Sequence, residues 1–158
     1  MTCIIGVVCA DGIVLVGDKK IKTERMEGAE YKIIPVRKYR NTVLASAGLW
    51  EIYGPRYKAR GYDYESEAFA ALVCYKPPSM GPRMYYIDAV GTSKKVDQYE
   101  VVGTGLQYAH LFIKPSHPEE EPYMRPMAVL ATFIILLIDK YKIDESIGAD
   151  EEGRVQIW

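Results

Sequence analysis

The chain has 158 residues, enough for one ordinary domain and too few for two comfortable ones. Apolar residues make up 49% and charged residues 26%, the profile of a soluble globular protein, with twenty basic side chains against twenty-one acidic ones. A net charge of −1, with no Lys/Arg block among aromatics, excludes nucleic acid as the expected partner.

Residues 2–9 are β-branched and apolar almost throughout, Asp11-Gly12 supplies a tight-turn signal, and residues 13–16 resume the pattern. Two such runs around a short turn predict a hairpin. Their apolarity is continuous rather than alternating, which predicts a sheet covered on both faces. A second pair follows at residues 32–36 and 42–47, ended by Gly48. Residues 49–67 are interrupted by Gly54-Pro55 and Gly61 and leave room for one short helix. Strand character returns at 68–75, breaks at Pro77-Pro78 and Gly81-Pro82, resumes at 83–88 and again at 95–102.

Gly103-Thr104-Gly105 then opens a predicted helix through residue 113, and a loop rich in proline and glutamate covers residues 115–122. The next helix is predicted over 126–141, with Pro126 in the first turn, where its missing donor is not needed. A short strand at 154–158 comes last. The longest apolar run, residues 127–138, falls short of the roughly 20 residues a bilayer requires, so it reads as a buried helix. No basic segment followed by a small-residue cleavage site marks a secretory signal, and the expected setting is cytoplasmic, without a membrane partner.

The order of elements lacks βαβ alternation, which disfavours a doubly wound parallel sheet and favours an α+β fold: two antiparallel sheets flanked by helices in a single domain over residues 1–158. Cys3, Cys9 and Cys74 have no metal or redox spacing and lie in apolar stretches, where free cysteine behaves as a small hydrophobe. His110 reads as structural and His117 as solvated.

Chemistry is suggested at the start of the chain. An N-terminal hydroxyl can be activated by its own α-amine, whose ordinary pKa of about 7.7–8.0 leaves a useful neutral fraction near neutrality. Thr2 meets that requirement once Met1 is removed. Such a mechanism also needs a fixed cation, a carboxylate to hold it and a backbone N–H for the oxyanion. Lys32, Asp18 and the amide of Gly48 are available for those parts.

These residues lie within a longer pattern. The stretch Thr2-Cys3-Ile4-Ile5-Gly6-Val7-Val8, followed by Asp11-Gly12 and Val16-Gly17-Asp18, resembles the start of mature proteasome β-subunits and their bacterial relative. Thr2 and Asp18 stand as far apart as that family's nucleophile and aspartate. Tyr31-Lys32-Ile33-Ile34 resembles the strand carrying its lysine, and Ala45-Ser46-Ala47-Gly48 the segment of its oxyanion hole. Residues 81–88 (Gly-Pro-Arg-Met-Tyr-Tyr-Ile-Asp) are similar to the family's Gly-Pro-x-Leu-Tyr-x-x-Asp strand. Residues 103–109 (Gly-Thr-Gly-Leu-Gln-Tyr-Ala) resemble its Gly-Ser-Gly-x-x-Tyr-Ala turn, with Thr104 keeping the hydroxyl.

The resemblance to the proteasome-like N-terminal-nucleophile hydrolases implies a four-layer αββα sandwich. Here its first helical layer would be shortened, because only residues 49–67 are available for it. It further implies peptide-bond hydrolysis without metal or cofactor, on peptide or unfolded protein substrates. Homo-oligomeric or ring assembly and a possible regulatory ATPase partner follow from the same likeness. The family supports its nucleophile with an aspartate and a serine three residues later; Asp144 and Ser146 stand two apart here. The plainer readings are a structural Asp18–Lys32 ion pair, a strand-ending Gly48 and a helix-capping Thr104. A catalytically inactive scaffold or assembly subunit is the alternative function. Such subunits normally carry an extra N-terminal helix, and none is expected from this sequence.

Overall fold

The computed structural model describes residues 3–22, 27–29, 31–36, 41–47, 70–88, 92–103, 106, 122–145 and 147–158. The expected helices at 49–67 and 103–113 lie outside these residues apart from Gly103 and Leu106, as does the 115–122 loop apart from Pro122.

The predicted hairpin forms. β1 (Ile4–Cys9) and β2 (Gly12–Gly17) pair antiparallel from Ile4 opposite Gly17 to Cys9 opposite Gly12, so Ala10 and Asp11 make the turn. β3 (Lys20–Lys22) and β4 (Glu27–Ala29) form a separate two-stranded ribbon. β5 (Ile33–Pro35), β6 (Thr42–Ala47), β7 (Ala70–Tyr75), β8 (Arg83–Ile87) and β9 (Ser93–Lys95) make a five-stranded sheet in chain order. The chain then leaves that sheet. β10 (Tyr99–Val102) pairs with β1, and after α1 (Met124–Lys140) the short β11 (Gln156–Ile157) pairs with β2. The first sheet thus has the order β10-β1-β2-β11, and every described ladder is antiparallel.

The single strand expected at 95–102 is two strands in different sheets. Val96 turns into the core while Asp97 and Gln98 stay exposed, and this short polar crossing passes the chain from one sheet to the other. The helix expected at 126–141 begins two residues earlier, with Pro126 still in its first turn. The last strand is confined to Gln156–Ile157.

Alternation in β1 and β2 sorts their side chains between two cores, as the strand period of two requires. Cys3, Ile5, Val7, Cys9, Val14 and Val16 face α1, where they meet Ala131, Ile134, Ile135 and Ile138. Those helix positions recur at the spacing of a buried face, and each fully buried isoleucine contributes about 1.5–3 kcal/mol. Ile4, Ile13 and Leu15 face the other way, onto Ile33, Val43, Leu72, Cys74 and Met84 of the second sheet. Helix, sheet and sheet are therefore stacked, and the first sheet is covered on both faces as its continuous apolarity predicts. At Gly6 the two sheets approach so closely that a Cβ would lie 2.6 Å from Met84 Sδ and 2.9 Å from Leu72 Cδ1. The outward face of the second sheet also carries buried Leu44 and Ala71, with Val36 and Val73 against them.

The hairpin turn fixes the start of α1. Asp11 Oδ1 accepts the Met124 N–H at 2.9 Å, and Pro122 O accepts the Ala10 N–H at 2.8 Å. The N-cap residue, Tyr123, makes no side-chain cap, and the first turn holds no acidic residue. Asp11 supplies both a missing acceptor and a negative charge near the positive end of the helix dipole. Among the described residues no helix is long and apolar enough to cross a membrane.

Candidate active site

The opposite end of the hairpin is built differently. The β1–β2 register puts Cys3 beside Asp18, and the ladder closes there with the Asp18 N–H donating to Cys3 O at 3.0 Å. In return the Cys3 N–H donates to Asp18 Oδ1 at 2.8 Å. Asp18 is wholly buried, so its charge needs compensation from the protein. Lys32, just before β5, provides it: its Nζ lies 2.8 Å from Asp18 Oδ1 and donates to Lys20 O at 2.6 Å. The second carboxylate oxygen accepts the Gly148 N–H at 3.2 Å.

Burial penalises both ions, lifting the Asp18 carboxyl above the usual carboxylate range and drawing the Lys32 ammonium below the usual lysine range. Each partner's opposite charge counters that shift in the other, and the Cys3 and Gly148 N–H groups further favour the Asp18 anion. Burial also drives the Cys3 thiol far upward, aided by the nearby charges of Asp18 and Asp144 and opposed by Lys32. That thiol stays protonated and is no nucleophile. Cys74 is likewise pushed up, to about 12, by burial alone. All three cysteines are buried and none is in a disulfide, in keeping with their apolar sequence context.

Two contributors carry no sequence motif. Gly148 donates to Asp18 and accepts the Lys19 and Lys20 N–H groups at 3.0 and 3.1 Å, tying the segment after α1 to the end of β2. A Cβ here would lie 2.8 Å from Asp139 Oδ1, and Asp139 itself accepts the Ala149 N–H at 3.0 Å. Gln156 is the other. Its Oε1 accepts the N–H groups of Lys32 and Ile33, both at 2.9 Å, while its Nε2 donates to Ile33 O at 2.7 Å. Outside this core, Lys19 Nζ pairs with Asp150 Oδ2 at 3.0 Å and lies 5.0 Å from the Tyr31 ring centroid. The Asp150 carboxyl is held below the usual range by the Arg154 N–H and by Lys19.

Of the residues expected to act together, Asp18 and Lys32 are in direct contact. Asp144 is half-buried, acts electrostatically on Cys3, and accepts the Ile147 N–H through its backbone oxygen at 3.2 Å. Thr2, Gly48, Thr104 and Ser146 lie outside the described residues. Ser46, two positions before Gly48, is buried beside Lys32 and donates its N–H to Lys32 O at 3.3 Å. Among the described residues no group of three or more His, Cys, Asp or Glu gathers as a metal site. The chain matches no protein-family model and no curated protein.

Proposed function

We propose that the chain is a threonine-type N-terminal-nucleophile hydrolase of the proteasome-like kind, with Thr2 as nucleophile after loss of Met1. One observation carries this reading. The buried Asp18–Lys32 pair sits where β1 begins, and Asp18 also grips the N–H of Cys3, the residue bonded directly to Thr2. An ammonium buried at that place is costly unless it is used or fully paired, and ionisable groups shifted by burial and a charge partner are candidates for functional sites.

In the proposed reaction the Thr2 α-amine takes the proton of the Thr2 hydroxyl as its oxygen attacks a peptide carbonyl carbon. The Lys32 ammonium favours the neutral amine beforehand and the developing alkoxide afterwards. The Gly48 N–H receives the oxyanion of the tetrahedral intermediate. Collapse breaks the C–N bond, the protonated amine returns its proton to the leaving nitrogen, and an ester to Thr2 remains. Water then attacks the ester, giving a carboxylic acid and free Thr2. Asp18 holds the cation in place, with Asp144, Thr104 and Ser146 as supporting polar groups.

The same reading includes a four-layer αββα sandwich, and the buried outward residues Leu44 and Ala71 support a further layer on the second sheet. A cytoplasmic setting, ring or other homo-oligomeric assembly, peptide or unfolded substrates and a regulatory ATPase belong to it as well. A second reading, an inactive scaffold subunit, is favoured by one fact: Asp18 is already satisfied by Lys32, Cys3 and Gly148, a complete structural anchor.

Intact mass and an epoxyketone probe separate the two. Native protein lacking Met1 and forming one covalent adduct at Thr2 is the expected outcome; retained Met1, or no adduct on Met-free protein, leaves the scaffold. The labelling rate should rise as the α-amine loses its proton. It should fall again on the alkaline side below lysine's ordinary 10.5, because burial eases proton loss from Lys32.

A further inference from the structure

Gln156 stands at the junction of the two sheets, and its hydrogen bonds have an unusual form. β5 is the edge strand of the second sheet, so one side of it has no neighbouring strand in that sheet. Ile33 presents both its N–H and its C=O to that side. The Gln156 carboxamide receives one through Oε1 and donates to the other through Nε2. This reproduces with one side chain the reciprocal pair that an antiparallel strand would make. Oε1 also takes the Lys32 N–H, so the backbone that carries the ammonium is held at two successive residues.

The backbone of Gln156 is fixed independently. It pairs with Gly17, the residue before Asp18, and the next turn of the ladder is closed by reciprocal bonds between Trp158 and Leu15 at 2.8 and 2.9 Å. One residue thus registers its main chain on the strand of the carboxylate and its side chain on the segment of the cation. A hydrophobic residue at this place would suffice for packing; an amide using both its donor and its acceptor sets a distance.

We propose that Gln156 is a positioning residue that sets the place of the Lys32 ammonium relative to Asp18 and thereby to the start of β1. This rests on the hydrolase reading only for its catalytic consequence, since the Lys32 geometry has a readout of its own. Gln156→Leu removes all three bonds at similar size. Gln156→Glu keeps the acceptor for the two N–H groups but turns an oxygen toward Ile33 O, and adds a charge near Lys32.

In Met-free protein the epoxyketone adduct should form about 10- to 100-fold more slowly in Gln156→Leu, the scale expected when a catalytic group is displaced by about 1 Å. The alkaline limb of the labelling profile should also move. Titration of the Lys32 ammonium, followed by NMR, should shift in both variants relative to the parent protein. A lowered melting temperature with unchanged Lys32 titration and an unchanged labelling profile would make Gln156 a packing residue and overturn the proposal. If the parent protein forms no adduct, the hydrolase reading fails, and the Lys32 titration alone decides whether Gln156 positions the cation.

Discussion

The β1–β2 hairpin has an aspartate at each end, and the two are used in opposite ways. Asp11, in the turn, is exposed and accepts one backbone N–H from the start of α1. Asp18, at the open end, is wholly buried and accepts from Cys3, Lys32 and Gly148. Both join segments distant in sequence. Water can replace the first interaction at little cost, whereas the second stands only while its cation and donors are all present. A carboxylate's partner list therefore says less about its importance than its access to solvent does.

That contrast can be broken most directly at the buried end. Lys32→Met leaves Asp18 buried beside an apolar side chain, and the expected loss is about 3–5 kcal/mol of folding stability by urea titration. Asp18→Asn with Lys32→Met together should cost less than the sum of the two single changes, because neither variant ion is then left unpaired. Additive losses would show that the pair is not a unit.

Gly148→Ala comes next. The added methyl meets Asp139 Oδ1 at 2.8 Å and the Lys20 stem at 3.2 Å, and relief by backbone movement should cost about 1–3 kcal/mol. If the movement withdraws the Gly148 N–H from Asp18, the Lys32 titration should also change; a pure packing loss would leave it untouched. The smallest effect is expected at the exposed end, where Asp11→Ala should cost about 1 kcal/mol by thermal unfolding, as for removal of a helix cap. An Asp11→Ala loss equal to that of Lys32→Met would erase the distinction between the two ends.

Much of the fold was legible because local and global preferences agree. The β-branched runs around Asp11-Gly12 form the hairpin, and the apolar stretch before Tyr141 forms α1. The antiparallel character followed from the absence of βαβ alternation. At residues 95–102 a strand-like composition conceals a change of sheet: Asp97 and Gln98 are too few to announce a loop, yet they suffice for the crossing.

At the site, Asp18 and Lys32 were readable because each is a charged residue at the edge of an apolar strand, at a recognisable separation. Gly148 was not, since it acts through its backbone N–H and through the absence of a side chain. Gln156 offered only a faint signal, a polar amide between Val155 and Ile157 in a short strand. The partner of such an amide is set by tertiary registry, which no local pattern encodes. The ribbon of β3 and β4 was equally silent, for each strand has only three residues.

The closure of the site by Gly148 and Gln156 also has a consequence in time. Lys32 leaves the ribosome long before Gln156, which follows 124 residues later, and Asp18 precedes Gly148 by 130. The residues of the hairpin and of its charged pair are thus synthesised early, and the groups that complete their surroundings late. During translation, Lys32 lacks the amide that holds its backbone and Asp18 lacks one of its donors. On the hydrolase reading, a nascent chain carries its nucleophile and its cation first and the groups that position the cation last, so full reactivity waits until synthesis has passed Gln156.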